Sequence, residues 1–181
     1  TLSVTGAGFT VAAPSDEITL AKTSDVVLDG NFSEWADIAT TVESSTDGGT
    51  IKKIKVDYDA TKIYFYVEGT SNLRGFFDIY VDADNDTTTG YDSPWYPKGF
   101  GADFLSEGEF ATGEDLADIF KRTSEVQTDW AWEVANAAGS GAVATSEGKE
   151  AGSGKAVEFS SSRSAFTSLA VEGGAFAIVD V

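Results

Sequence analysis

The chain of 181 residues is long enough for one domain with a sizeable core, and its formal net charge of −18 argues against nucleic acid and anionic membrane surfaces as partners. It contains no cysteine and no histidine, which excludes disulfides and removes both the usual general base of hydrolases and the commonest zinc ligand. No run of about 18 apolar residues is present, so we expect no membrane-spanning helix.

The start of the chain indicates export. It begins at Thr1 without a charged and then apolar leader, which is typical of a protein whose signal peptide has been removed, so we predict a secreted, extracellular or cell-surface protein. Residues 1–13 alternate weakly between apolar and polar side chains, and we expect this N-terminal arm to dock as a strand on a sheet of its own chain or of a neighbour. Residues 14–181 are predicted to form a single domain.

A turn signal, Asp29-Gly30, precedes Ser33-Glu34-Trp35, which predicts a single helical turn. The pattern of a hydrophobic residue, Asp-Gly, three residues and Glu-Trp resembles the opening of family 9 carbohydrate-binding modules and of the related DOMON-like sandwiches. In those proteins the tryptophan mainly fills the core, and the resemblance implies the same role for Trp35.

Residues 51–57 and 63–68 are the clearest pair of strands, because apolar side chains recur at every second position in both. The polar residues 59–62 between them predict the turn of a β-hairpin. In the second strand, Tyr64 and Tyr66 are expected on the face opposite to the other apolar side chains.

Residues 77–82 alternate between apolar and polar side chains, which predicts a half-buried strand. The strand leads into Asp82, Asp84 and Asp86, and the chain returns to regular structure near Asp103. Carboxylates at such close spacing repel one another unless a cation lies among them, and Ca²⁺ binds six to eight oxygen atoms. We therefore predict a structural calcium site formed by Asp82, Asp84, Asp86, loop carbonyls and Asp103. The alternative is a solvated acidic turn without an ion.

The spacing of this acidic segment does not fit an EF-hand. Counting from Asp82, the sixth position is Thr87 instead of glycine, and the twelfth is Ser93 instead of a chelating glutamate. The segment does resemble the same family of sandwiches, in which a strand ends in Asp-x-Asp-Asn and is followed by Thr-Gly-Tyr and Gly-Ala-Asp. The matching residues in this chain are 82–85, 89–91 and 101–103. In such relatives the segment often carries a structural cation, which the resemblance implies here.

Further short strands, separated by turn residues, are predicted along the rest of the chain, with a short helix at residues 161–166. These strands are residues 102–106, 116–121, 128–135, 139–147, 155–160 and 175–181. Many short strands with turn signals between them predict an all-β fold, an antiparallel, jelly-roll-like β-sandwich with one or two short helical turns.

Aromatic side chains outside the predicted core are candidates for glycan binding, since sugars stack their C–H faces on tryptophan and tyrosine. Trp95 and Tyr96 lie in a proline-bracketed loop beside the acidic turn. Trp130 and Trp132 are expected on one face of a strand, about 7 Å apart, where they form either a stacking platform or part of the core. We predict Trp95, Tyr96 and Trp130 as ligand-binding residues.

Two functions compete, and neither is catalytic, because the chain has no histidine, cysteine or nucleophile motif and no rule selects a catalytic pair from its 30 acidic residues. The first is a secreted module that binds glycans, which follows mainly from the family resemblance. The second is a self-assembling subunit of an extracellular filament, tube or surface layer. In that case residues 1–13 complete the open sheet edge of a neighbouring copy, and calcium stabilises the assembly.

Overall fold

The computed structural model describes residues 3–6, 9–12, 23–43, 49–92, 94, 99–110, 118–136, 142–144, 149–151, 154–166 and 174–181. These residues form thirteen strands and two short 3-10 helices, Phe32–Ala36 and Arg163–Ala165. In chain order the strands are β1 (Ser3–Gly6), β2 (Phe9–Ala12), β3 (Thr40–Glu43), β4 (Ile51–Tyr58), β5 (Lys62–Gly69), β6 (Phe76–Asp82), β7 (Phe104–Glu109), β8 (Asp118–Arg122), β9 (Trp132–Asn136), β10 (Ala142–Ala144), β11 (Lys149–Ala151), β12 (Gly154–Ser162) and β13 (Ala175–Asp180).

The strands form two sheets, which confirms the predicted all-β sandwich. Sheet A has the order β2-β1-β13-β6-β7-β8-β9, and sheet B has the order β10-β12-β5-β4-β3, with β11 pairing to β12. Among the described strands every pair is antiparallel except β1 and β13, which run parallel. The predicted hairpin is the β4–β5 pair, and its turn is closed by the carboxylate of Asp59, which accepts the backbone N–H groups of Thr61 and Lys62 at 2.6 and 2.8 Å.

The main core lies between the two sheets and is rich in phenylalanine. Period-2 alternation places Phe77, Ile79 and Val81 of β6 on the inner face of sheet A, where all three are buried. Phe159 of β12 lies across from them, with its ring centroid 5.8 Å from that of Phe77 and 5.1 Å from that of Phe65 on β5. Burial of aromatic rings from both sheets is the main force that holds the sandwich together.

The outer face of sheet B is covered by residues 23–38, and Trp35 is the centre of that contact. Its side chain is 1 % exposed and packs on Tyr66, with ring centroids 5.6 Å apart. The predicted burial of Trp35 and the predicted helical turn are therefore confirmed. Tyr64 and Tyr66 lie on this outer face, as the alternation in β5 predicts.

The outer face of sheet A is covered by the long connection between β6 and β7. Tyr91 and Ala102 of this connection form an isolated antiparallel bridge, and both pack in a buried cluster with Tyr80 and Leu105. The connection that carries the acidic residues is thus packed on the sheet at Tyr91, Phe100 and Ala102.

Several predicted boundaries differ from the observed ones. β9 begins at Trp132 instead of residue 128, because Arg122 donates hydrogen bonds to the carbonyls of Val126 and Asp129 and keeps residues 123–131 in a turn. The predicted helix at residues 161–166 is confined to one 3-10 turn at Arg163–Ala165. Within the described residues, no helix has the length and apolar character needed to cross a membrane.

Candidate metal centre

Three carboxylates meet where β6 ends and the chain returns towards β7. They belong to Asp82, Asp84 and Asp103, and one oxygen from each lies within 4.8 Å of the other two. The backbone brings them together, because Asp103 donates its N–H to the carbonyl of Val81 at 2.8 Å, next to Asp82 at the end of the strand. The first and last predicted ligands, which are 21 positions apart in sequence, are therefore neighbours in the fold.

Hydrogen bonds fix the backbone around the three carboxylates. Asp103 accepts the N–H groups of Ala83 and Asp84 at 2.9 and 3.3 Å, both on its Oδ2 atom. Asp82 accepts the N–H of Asn85 at 2.7 Å, and Asn85 adopts a left-handed conformation with φ of 61°. These contacts turn the chain sharply directly after β6, so that Asp84 lies beside Asp82 and Asp103.

The electrostatics of the cluster disfavour three bare negative charges. Asp82 is 1 % exposed. Burial, and then the charges of Asp103 and Asp84, raise the pKa of Asp82 to about 7, against the opposing effect of the hydrogen bond from Asn85. Burial also raises the pKa of Asp103, with added effects from the charges of Asp84 and Asp86. A cation among these carboxylates would remove the repulsion and favour their ionised forms.

The arrangement fits a hard divalent cation. Two oxygen atoms that bind Ca²⁺ at about 2.4 Å lie up to about 4.8 Å apart when they are on opposite sides of the ion, so the observed spacing is compatible with one shared ion. Asp82, Asp84 and Asp103 would supply three oxygens, and carbonyl groups and water would complete the six to eight that calcium takes. The described residues therefore contain a cluster that could hold a metal ion, and calcium remains a prediction.

Asp86, the fourth predicted ligand, is not part of this cluster. Its Oδ1 atom accepts the backbone N–H and the hydroxyl of Thr88, at 2.9 and 2.7 Å. These two hydrogen bonds lower the pKa of Asp86. The side chain thus caps the next turn of the loop, and a direct role for Asp86 in metal binding stays a prediction.

The loop is closed by the contact of two glycines. Gly90 and Gly101 have positive φ angles of 67° and 74°, and a Cβ atom on Gly90 would lie 2.3 Å from the carbonyl oxygen of Gly101. Only residues without side chains allow the two halves of the loop to approach so closely. This approach explains why glycine stands in both Thr-Gly-Tyr and Gly-Ala-Asp.

Gln127, from the turn between β8 and β9, connects the acidic loop to the rest of sheet A. Its side-chain Nε2 donates to the carbonyls of Thr87 and Thr89 at 3.1 and 2.7 Å. Its own carbonyl accepts the N–H of Asp92 at 2.8 Å. The composition of the turn gave no indication of this role, because a glutamine in an exposed turn is usually only solvated.

The aromatic residues beside the acidic loop form a partly exposed cluster. Trp130 is 55 % exposed, and its ring contacts Trp132 and Tyr91 edge to face, with centroids 5.7 and 5.3 Å apart. Arg122 places its guanidinium over the rings of Tyr91 and Trp132, 5.3 and 5.8 Å from their centroids. Trp95 and Tyr96 lie outside the described residues.

The two tryptophans differ in how they match the predicted arrangements, because Trp132 is half-buried against the outer hydrophobic cluster whereas Trp130 is exposed. They lie on the outer side of sheet A and not in the core between the sheets, since Trp130 precedes the strand and Trp132 packs against the outer cluster. Their rings are inclined at 73° to each other, so they do not form one flat platform. Within this cluster, the exposed ring of Trp130 is the one on which a sugar could stack.

Comparison of the chain with protein-family models, with curated proteins and with solved structures gave no match. The resemblance to family 9 carbohydrate-binding modules and DOMON-like sandwiches thus remains a prediction from short motifs.

Proposed function

We propose that the protein is a secreted, non-catalytic β-sandwich subunit that assembles into an extracellular filament, tube or layer by exchanging its N-terminal strands with a neighbouring copy. The observation that supports this most directly is the parallel pairing of β1 with β13, in register from Ser3 opposite Ala175 to Gly6 opposite Ile178. β2 folds back on β1 and forms the edge of sheet A. The N-terminal strands thus complete the sheet beside a strand that contributes to the core.

The energetic reason for exchange is that β1 can make the same contacts with β13 of its own chain and with β13 of a neighbouring copy. If β1 left its place, β13 would expose a row of unpaired N–H and C=O groups, although its residues Phe176 and Ile178 are fully buried. A copy of β1 from a second molecule would restore the identical hydrogen bonds.

The candidate metal centre lies close to the place where β1 docks. Asp82 is opposite Ala175, and Ala175 is opposite Ser3, so these three residues occupy neighbouring positions on β6, β13 and β1. With strands about 4.8 Å apart, the start of β1 lies about 10 Å from Asp82. A cation bound there would stabilise the end of the sheet that receives the N-terminal strand and would reduce repulsion between copies that each carry a formal charge of −18.

Engineered cysteines can test the exchange, because the chain has no cysteine of its own. Thr5 and Ala177 are register partners on β1 and β13, at a separation that suits a disulfide. In the Thr5→Cys/Ala177→Cys variant, oxidation after assembly with calcium should give a ladder of disulfide-linked multimers on a non-reducing gel. Oxidation of dilute, calcium-free protein should give a locked monomer that no longer assembles.

The controls for this experiment are the two single-cysteine variants and a chain that lacks residues 1–13. Electron micrographs should show polymers of the wild-type protein with calcium, and none after deletion of the arm. Cross-linked species restricted to monomers under every condition would contradict strand exchange. Polymers that persist without residues 1–13 would contradict it as well.

Glycan binding is the second candidate, and the exposed ring of Trp130 favours it. We expect an aromatic surface of this kind to bind a saccharide by stacking, with hydroxyl groups held by nearby polar atoms. Titration with oligosaccharides should change tryptophan fluorescence in the wild-type protein and not in Trp130→Ala. Val134→Ala is a matched control, because Val134 is similarly exposed, at 60 %, and lies four positions further along the chain, in β9. An unchanged signal with every saccharide tested would argue against this function.

A further inference from the structure

A three-residue motif on the outer side of sheet B has the form that directs N-linked glycosylation. Asn31-Phe32-Ser33 matches Asn-x-Ser/Thr, and so does Asn85-Asp86-Thr87. Asn72 is also exposed, but Leu73 and Arg74 follow it, so it lacks the motif. The sequence pattern alone does not distinguish the two matching sites, whereas their conformations do.

Asn31 has the conformation expected of an accessible acceptor. It is exposed, its backbone is extended with φ of −103° and ψ of 113°, and its side chain makes no capping hydrogen bond to the 3-10 helix that follows. Its N–H donates to the carboxylate of Asp29 at 2.7 Å, while the ring of Phe32 packs edge to face on Tyr66 at 5.4 Å. The backbone on both sides is therefore anchored, and the carboxamide of Asn31 is left on the surface.

Asn85 is also exposed, but its backbone conformation and the burial of its hydrogen-bond partner are different. Its φ of 61° is left-handed, and its N–H is held by the buried carboxylate of Asp82 at 2.7 Å. An enzyme that draws its acceptor into an extended conformation would have to break this turn and, with it, the candidate metal centre. The folded chain therefore presents Asn31 and withholds Asn85.

We propose that Asn31 carries an N-linked glycan. An oligosaccharyltransferase would supply the sugar from a polyprenyl-pyrophosphate-linked oligosaccharide. The side-chain nitrogen of Asn31 forms a bond to the anomeric carbon, and the bond from that carbon to the phosphate oxygen breaks with its electron pair on the departing pyrophosphate. The nitrogen loses one proton to a carboxylate of the transferase.

The position of Asn31 makes the modification compatible with assembly. Residues 23–38 cover the outer face of sheet B, whereas the candidate metal centre and β1 belong to sheet A. Because the two sheets pack face to face, a glycan on Asn31 would project from the side of the sandwich opposite the outer face of sheet A. The glycan would thus leave the β1–β13 contact free.

Tryptic mapping can test the site, because each asparagine in question falls in its own peptide. Cleavage after lysine and arginine gives peptides 23–52, 63–74 and 75–98, whose only asparagines are Asn31, Asn72 and Asn85, respectively. In protein purified from its native cells, peptide 23–52 should carry a glycan mass. Enzymatic deglycosylation in heavy-oxygen water should then mark Asn31. An unmodified peptide 23–52 would overturn the proposal.

A second measurement uses purified, folded chain with a single-subunit oligosaccharyltransferase and its lipid-linked oligosaccharide. The wild-type protein and Asn72→Gln should gain one glycan on peptide 23–52, and Asn31→Gln and Ser33→Ala should gain none on that peptide. The fluorescence of the buried Trp35 checks that each variant is folded. Transfer to Asn85 in the folded wild-type protein, with none to Asn31, would overturn the assignment.

Discussion

The indole N–H of Trp35 donates a hydrogen bond of 2.9 Å to the carboxylate of Glu158, although the two residues are 123 positions apart in sequence. Glu158 also accepts the N–H groups of Asp29 and Gly30. One buried carboxylate is therefore hydrogen-bonded both to the turn and to the tryptophan of residues 23–38. Burial, and then the charge of Glu34, raise the pKa of Glu158 against the opposing effect of these three hydrogen bonds.

Replacement of Trp35 should therefore release residues 23–38 from sheet B. We expect Trp35→Phe to lower the free energy of unfolding by about 2 to 3 kcal/mol, because a hydrogen bond to a buried charge is lost together with part of the packing. Glu158→Gln should lower the free energy of unfolding as well, because Asp29 and Gly30 donate to one carboxylate oxygen and Trp35 to the other, so one of these donors would face the amide NH2. Urea denaturation measures both, and a Trp35→Phe variant as stable as the wild-type protein would contradict the role of this hydrogen bond.

Substitution of Gly90 should disrupt the acidic loop more than substitution of Gly99. Both have positive φ angles, of 67° and 78°, but among the described residues nothing lies within 4 Å of a Cβ atom on Gly99. The strain of the left-handed conformation, about 1 to 2 kcal/mol, is therefore common to Gly90→Ala and Gly99→Ala. Only Gly90→Ala adds the steric overlap with Gly101. Isothermal titration calorimetry should therefore show a several-fold larger loss of calcium affinity for Gly90→Ala than for Gly99→Ala. Equal losses in the two variants would show that the close approach is unimportant.

Calcium should raise the melting temperature of the wild-type protein. At a calcium concentration of about 100 times the dissociation constant the gain is about 2.7 kcal/mol, which corresponds to roughly 5 to 10 °C for a chain of this size. Asp103→Asn should lose most of this gain, because it removes one of the three clustered carboxylates. Asp86→Asn should retain it, since the carboxylate of Asp86 is bonded to Thr88 instead. A chelator that leaves the wild-type melting temperature unchanged would refute the site.

The pH dependence of stability should reveal the titration of Asp78, which does not belong to the candidate metal centre. Burial, and then the charge of Glu107 opposite it, raise the pKa of Asp78 from 3.8 to about 6. Between these two values the folded chain binds more protons than the unfolded chain, so this residue makes stability fall as the pH rises from about 4 to about 6.

Asp78→Asn should make the decrease in stability between pH 4 and pH 6 less steep, whereas Asp37→Asn, at an exposed position, should leave this decrease unchanged. Urea denaturation in the presence of a chelator, repeated across this pH range, measures how steeply the free energy of unfolding falls with pH. A slope that is the same in Asp78→Asn and in the wild-type protein would show that the raised pKa of Asp78 does not influence stability.

Much of the fold follows from local patterns in the sequence. The alternation in β5 and β6 predicts which side chains face the core, and the Asp29-Gly30 turn predicts the entry to the helical turn at Trp35. These features depend on neighbouring residues and on the period of the strand, so a sequence reveals them directly.

Features that depend on distant contacts could not be predicted in this way. Two hydrogen-bonding roles become evident only when strands far apart in sequence are adjacent. Glu158 accepts the indole N–H of Trp35, and Gln127 donates to the carbonyls of the acidic loop. The start of β9 lies at Trp132 and not at the predicted residue 128 for a similar reason, because the hydrogen bonds of Arg122 outweigh the apolar alternation of residues 128–131. At the candidate metal centre, the spacing indicated Asp82 and Asp84, and the return of the chain to regular structure indicated Asp103, but neither indicated the hydrogen bonds of Asp86 to Thr88.

The parallel pairing of β1 with β13 has a consequence for the kinetics of folding. Nearly the whole chain lies between Ser3 and its partner Ala175, so this contact closes the largest loop in the fold and contributes strongly to its contact order. We therefore expect this contact to form after the hairpins and the central strands. During that interval β13 would be uncovered and β1 unattached, and the local concentration of other copies would decide which β1 arrives first.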